Sequence, residues 1–142
     1  MRKESLDRVR GSVALLLPHA ADITRLFYDR LFSVAPETRA LFKVDMAVQR
    51  QHFAAALSVI LKNLTLLDVL TEPLRQLGHQ HAAAGVRPQH YPVVRDALLH
   101  AMRHTLTHDW TDELAEDWHD LLDTVSAIMM SGGTDALRTR HD

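Results

Sequence analysis

The chain contains no cysteine, and only five glycines and five prolines are spread through its 142 residues. Without cysteine there is neither a disulfide framework nor a thiolate metal site, and the redox compartment is left open. Charge of one sign is also missing: 16 Lys and Arg stand against 18 Asp and Glu, a formal net charge of -2. The two signs are interleaved, so neither a nucleic-acid stripe nor a polybasic membrane patch is present. The start "MRKESLDRVR" is basic, but the apolar run after it, "VALLL", is only five residues long before Pro18. That is too short for a signal-peptide core or a membrane span. The expectation is a cytoplasmic protein with no nucleic-acid and no membrane partner. A chain of this length fits one domain, on a range of roughly 100–200 residues per domain. At that size a core with a pocket in it is affordable in surface terms, since about two-thirds of the unfolded chain's surface becomes buried.

Between the sparse glycines and prolines the apolar spacing is helical almost throughout. Val9, Val13, Leu16 and Leu17 predict a first amphipathic helix that stops near Pro18. Ile23, Leu26, Phe27, Leu31 and Phe32 predict a second, and Pro36 can open a short helix, "PETRALF", because proline is tolerated in a first turn. Phe53, Ala56, Leu57, Ile60 and Leu64 mark the next helix. "LTEPLRQLGHQHAAAG" reads as another, entered near Pro73 and closed by Gly85. Val94, Leu98, Leu99, Met102 and Leu106 define one more, and Leu114, Trp118, Leu121, Val125, Ile128 and Met129 the last, with Thr111 or Asp112 as its cap. No stretch alternates as a strand would. The reading is all-α, with a domain over 1–131 and a frayed tail over 132–142.

Ten histidines compensate for the absent cysteines as potential ligands. Two of them, His79 and His81, lie in the same predicted helix. Leu70, Leu74, Leu77 and His81 are spaced four, three and four, so His81 continues the apolar stripe, whereas His79 falls with Glu72, Arg75 and Gln76. Two residues on a helix subtend about 200 degrees, so His81 looks inward and His79 outward. An inward histidine is either a core residue with a satisfied ring or an axial metal ligand. In the second case its other ring N–H needs an acceptor, and the carbonyl of Leu77, one turn back, is in place.

The rest of the sequence bears on that choice. Pro36 precedes Phe42 by six residues in "PETRALF", "FYDRLF" carries Tyr28, and "HAAAGVRPQHYPVV" follows His81 with Gly85, Val86, His90, Tyr91 and Pro92. This ordered set resembles the globins, and among them the bacterial single-domain haemoglobins and the globin domain of flavohaemoglobins, over residues 5 to 130. The resemblance implies a globin fold of six to eight helices around haem b, with His81 as the proximal iron ligand and Phe42 stacked on the haem. It further implies that Gln49 is the distal residue, that Phe53 presses on the distal face one turn later, and that Tyr28 brings its hydroxyl to the same space. A flat apolar wall and one nitrogen ligand are what a porphyrin needs. Tyrosine and glutamine are both donors suited to dioxygen, which carries partial negative charge on ferrous haem.

His52, three residues after Gln49, has three readings: simple exposure, a haem propionate partner, or a sixth ligand to the iron. In flavohaemoglobins a tyrosine and a glutamate back the proximal histidine. Tyr91 matches that tyrosine, but Gly133 stands where the glutamate is expected and Leu122 where another tyrosine is. The implied function is reversible dioxygen binding, with nitric oxide and carbon monoxide as further ligands. A nitric oxide dioxygenase is the alternative, and the 142 residues leave no room for flavin and nicotinamide modules, so it would need a separate reductase. A six-coordinate sensor or electron-transfer globin closed by His52 is the third reading. His100, His104 and His108 repeat every four residues, a spacing that can chelate a divalent metal. No carboxylate completes a set there, and a solvated row is expected. His19, His90, His119 and His141 show no partner in the sequence.

Overall fold

Six α-helices realise the helical spacing: α1 (Lys3–Leu16), α2 (Ala20–Val34), α3 (Met46–Asn63), α4 (Leu67–Ala83), α5 (His90–Leu106) and α6 (Asp112–His141). Short 3-10 turns follow α1, α2 and α5, at Leu17–His19, Pro36–Leu41 and Thr107–Asp109. The computed structural model describes residues 2–64 and 66–141, with side chains as far as Thr134. Among the described residues there is no strand, and no helix is long and apolar enough to cross a membrane.

The helices pack as α2 on α5 and α3, α4 on α6, α5 on α6, and α1 against α6. The shared core is aliphatic and aromatic, with Val9, Leu16, Ile23, Leu31, Ala101 and Trp118 at 1% exposure or less. Two polar links fasten α1 to α6 through it. The Trp118 indole donates to Ser12 Oγ at 2.9 Å, and that hydroxyl donates on to the Val9 carbonyl at 2.7 Å, so neither buried donor is orphaned. One turn away, Arg8 Nε donates to Asp117 Oδ2 at 2.6 Å.

Local signals account for three helix ends. Thr111 Oγ1 accepts from the Leu114 amide at 3.1 Å and caps α6, while Asp45 accepts from the Ala47 amide at 2.7 Å and caps α3. Gly85 adopts φ +103, left-handed backbone that favours glycine. The Val86 amide then donates to the His81 carbonyl at 2.9 Å and the Gly85 amide to that of Ala82 at 3.1 Å. This is a Schellman motif, and it locks the turn that carries His81.

Three expectations need correction. α4 starts at Leu67, not near Pro73, which lies inside the helix. Proline there deletes only the bond to Val69, and both residues sit on the exposed side, where water can serve the freed carbonyl. α6 does not stop near residue 131 but continues through Gly132 and Gly133 to His141. The apolar pattern fades there because both glycines are buried against α4, where a Cβ at Gly132 would overlap the Arg75 carbonyl and one at Gly133 would already touch Ala82. The third concerns the histidine row: α5 ends at Leu106, Thr107 takes φ 48, and His108 falls in the following 3-10 turn, off the helix line of His100 and His104.

Candidate functional site

Tyr28 projects from α2 into the core and is 2% exposed. Around it gather rings from three parts of the chain. Phe42, just past the Pro36–Leu41 turn, meets Tyr28 edge-on with centroids 5.4 Å apart, and Phe53 of α3 does the same at 5.4 Å. Phe27 stacks on Phe53 at 4.7 Å, and Phe32 meets Phe42 at 5.6 Å. These are favourable offset and edge geometries. Phe42 and Phe53 themselves stay only half-buried, unlike Tyr28 and Phe27.

Gln49 reaches that hydroxyl. The Asp45 cap sets the first turn of α3, Gln49 lies in the next positions, and its Nε2 donates to Tyr28 Oη at 3.1 Å. The phenolic proton is thereby left to be donated elsewhere. Burial pushes the Tyr28 pKa up, against a smaller opposing pull from Gln49, so the group stays a protonated donor. Gln49 and Phe53 are four residues apart and share one face of α3. His52 lies off that face and is exposed.

His81 is half-buried on α4, and its Nδ1 lies 2.8 Å from the Leu77 carbonyl. A carbonyl only accepts, so Nδ1 carries the proton and Nε2 keeps its lone pair. Burial lowers the His81 pKa, outweighing the backbone hydrogen bond, and so favours the neutral ring. An uncharged imidazole with one nitrogen anchored and the other free is a ready metal ligand. His79 is exposed, as the helical spacing requires, and lines a hollow along the seam of α4 and α6 with Glu72, Arg75, Gln76, Gln80 and Gly132.

The two halves approach at the corner after α4. A Cβ at Gly85 would stand 3.5 Å from Leu41, the neighbour of Phe42, so the loop that ends α4 leans on the segment that carries Phe42. Val86 and Tyr91 are half-buried along this edge, and burial raises the Tyr91 pKa. The side-chain chemistry fits haem: one imidazole with a free nitrogen, two half-buried phenylalanines, and a hydrogen-bonded tyrosine–glutamine pair. No cluster of three metal-ligating side chains exists among the described residues, and His100 and His104 are exposed.

Some partners escaped the sequence reading. His90 Nδ1 accepts from the Arg87 amide at 2.8 Å, and His119 pairs with Asp120 and Asp123 at 3.7 and 3.6 Å. His19 lies 3.8 Å from Asp22, while His141 lies outside the described side chains. The closest packing at the site was also missed. A Cβ on Gly78 would overlap the Met129 carbonyl, and one on Gly132 the Arg75 carbonyl. The available signal was a glycine inside a helical pattern, which costs about 1 kcal/mol against alanine and needs a packing reason.

Comparison with known proteins identifies the family. The Globin family model matches residues 25–129. Flavohemoproteins of Rhizobium meliloti and Bacillus subtilis are 28% and 30% identical over 132 and 118 residues, or 91% and 81% of this chain. The chain spans only 33% and 30% of their length. A globin-like protein of Aquifex aeolicus is 26% identical over 131 residues and is matched over 93% of its length. Among solved structures, an engineered carbene transferase made from a candidate nitric oxide dioxygenase of Rhodothermus marinus superimposes with a TM-score of 0.89 at 27% identity, over 100% of this chain and 99% of that one. A bacterial globin of Campylobacter jejuni superimposes with a TM-score of 0.83 at 21% identity, over 96% and 99%, which speaks to the fold alone.

Proposed function

This chain belongs to the globin family, and on that premise we propose that it is a haem b protein that binds dioxygen reversibly. The observation that carries this reading is the hydrogen bond from Gln49 to Tyr28, at 3.1 Å, beside the half-buried rings of Phe42 and Phe53. It supports a donor pair poised for a small polar ligand. When bound, haem supplies a ferrous iron able to take up a diatomic gas.

His81 would hold the iron through Nε2, since its Nδ1 is committed to the Leu77 carbonyl. Phe42 would lie against the porphyrin and Phe53 would narrow the space above it, with Val86 and Tyr91 along the proximal edge. Tyr28 would donate its phenolic proton to dioxygen, while Gln49 fixes the phenol's orientation from behind. Its raised pKa keeps that proton in place across the physiological range.

The second reading, a nitric oxide dioxygenase served by a separate reductase, is favoured by the whole-chain likeness to the Rhodothermus marinus protein. The same residues would serve it, and the difference lies in how fast an external reductant restores the reduced state. Absorption spectra of the purified protein, reduced without ligand and then gassed with oxygen or carbon monoxide, test the main reading. A five-coordinate reduced spectrum that converts on gassing is expected. A six-coordinate reduced spectrum would bring His52 inward as a ligand and favour sensing or electron transfer. No haem signal after reconstitution would return His81 to the core and overturn the reading.

A further inference from the structure

The proximal helix is held from behind by glycine. Gly78, one turn before His81, is buried with its Cα against the Met129 carbonyl of α6, and Gly132 is buried with its Cα against the Arg75 carbonyl of α4. The two contacts are reciprocal: in each helix the glycine lies three residues after the carbonyl that receives the other's. That is the pattern of two helices crossing antiparallel at backbone contact, a geometry that Cα–H···O contacts favour. Gly133 extends it, since a Cβ there would stand 3.4 Å from Ala82 Cβ and 3.5 Å from the Gly78 carbonyl. Beside the crossing, Arg75 Nη1 donates to Ser131 Oγ at 2.6 Å, and Ser131 donates to the Ile128 carbonyl at 2.6 Å.

We propose that the Gly78–Gly132 crossing is a positioning device for His81, setting the stand-off of its free nitrogen and with it the strength of the bond to iron. The proposal rests on the haem reading above. α4 packs mainly on α6 and only lightly on α3, so its position follows the crossing. Downstream, the Schellman bonds at Val86 and Gly85 close the helix, and His81 lies between these two fixed points. A methyl group at either glycine overlaps backbone atoms, which have no rotamer to move away by. α4 must then retreat by roughly 1.5 Å to restore ordinary C···O separations of about 3.3–3.6 Å. A rigid helix passes that displacement to the imidazole. Packed interiors transmit strain because they hold few voids to absorb it.

The test uses the haem-loaded full chain with Gly132→Ala, Gly78→Ala and the milder Gly133→Val. Ser12→Ala serves as the control, since it removes the Trp118 partner between α1 and α6, away from α4. The readouts are the iron–histidine stretching frequency of the reduced, ligand-free protein, carbon monoxide binding and release rates, and melting temperature. In the haem-free protein, amide exchange along α4 is followed. Gly132→Ala and Gly78→Ala are expected to shift the stretching frequency, change a carbon monoxide rate at least threefold, and speed exchange in residues 77–83. Ser12→Ala is expected to lower the melting temperature with the frequency unmoved. Glycine variants that melt lower but keep the wild-type frequency and rates would reduce the crossing to a stability element and overturn the proposal. Should the two tighter variants fail to fold, Gly133→Val decides, because its γ carbons extend past a Cβ already in contact with Ala82 and the Gly78 carbonyl: a shifted frequency supports the device and an unmoved one overturns it. Failure of the wild type to take up haem would instead sink the functional reading beneath it.

Discussion

Gln49 donates its side-chain amide to the Tyr28 hydroxyl across 3.1 Å, tying the start of α3 to the middle of α2. The bond orients the phenol and leaves its proton as the donor, so the two residues are unequal. Tyr28→Phe removes the donor itself, and oxygen dissociation should rise about two- to tenfold, the equivalent of roughly 0.5–1.5 kcal/mol for one hydrogen bond. Gln49→Leu removes only the orienting partner and should give a smaller rise. Stopped-flow displacement of oxygen by carbon monoxide measures both. A larger effect for Gln49→Leu would make the amide the primary donor.

His81→Ala should abolish stable haem retention, because His81 continues an apolar stripe and gives its Nδ1 proton to a carbonyl, leaving Nε2 free. The half-buried His90 and His119 instead turn Nδ1 to an amide and to carboxylates. Added imidazole should restore a haem spectrum in this variant by filling the vacated position. A wild-type spectrum for His81→Ala without imidazole would show that iron is held elsewhere.

The orientation of His81 was legible because helical spacing is local: Leu70, Leu74 and Leu77 specify a face, and His81 continues it. The Gly85 terminus and the Thr111 cap were legible for the same reason, each being a property of a few adjacent residues. The Tyr28–Gln49 pairing was not, since nothing within either helix says that the two will meet. It entered only through likeness to a known family. Gly78 and Gly132 were opaque in a different way. A glycine's sequence signal is a break, and whether it is instead a point of close approach depends on a helix some 50 residues away (Arg75 lies 56 from Ser131). Pro73 misled for want of the fact that its side of α4 is exposed.

Thr111→Ala should destabilise the fold through a single lost cap, since the Leu114 amide loses its acceptor at 3.1 Å. The cost should be about 1 kcal/mol, within the range of about 0.5–2 for such caps. That corresponds to a fall in melting temperature of about 2–4 °C for a domain near this size. Thr111→Ser, which keeps the oxygen, should recover most of it. Equal losses in the two variants would assign the effect to the methyl group instead.

The Arg8–Asp117 link gives the fold an acid dependence of known sign. The Arg8 hydrogen bond holds the Asp117 carboxyl below the ordinary carboxylate range, against partial burial, which pushes the other way. A carboxyl whose pKa is depressed on folding contributes stability that is complete above its unfolded value and is lost as pH falls through its folded one. Asp117→Asn should therefore lower the melting temperature at neutral pH and flatten the decline in acid. Arg8→Ala should be worse at neutral pH, because it leaves a carboxylate of 8% side-chain exposure without its cation. Below the ordinary carboxylate range Asp117 protonates in the Arg8→Ala protein, so the gap between the two variants should close there. Melting curves of wild type and both variants from pH 7 to pH 3 measure this. Curves that run parallel throughout would mean that the pair's contribution is packing and not charge.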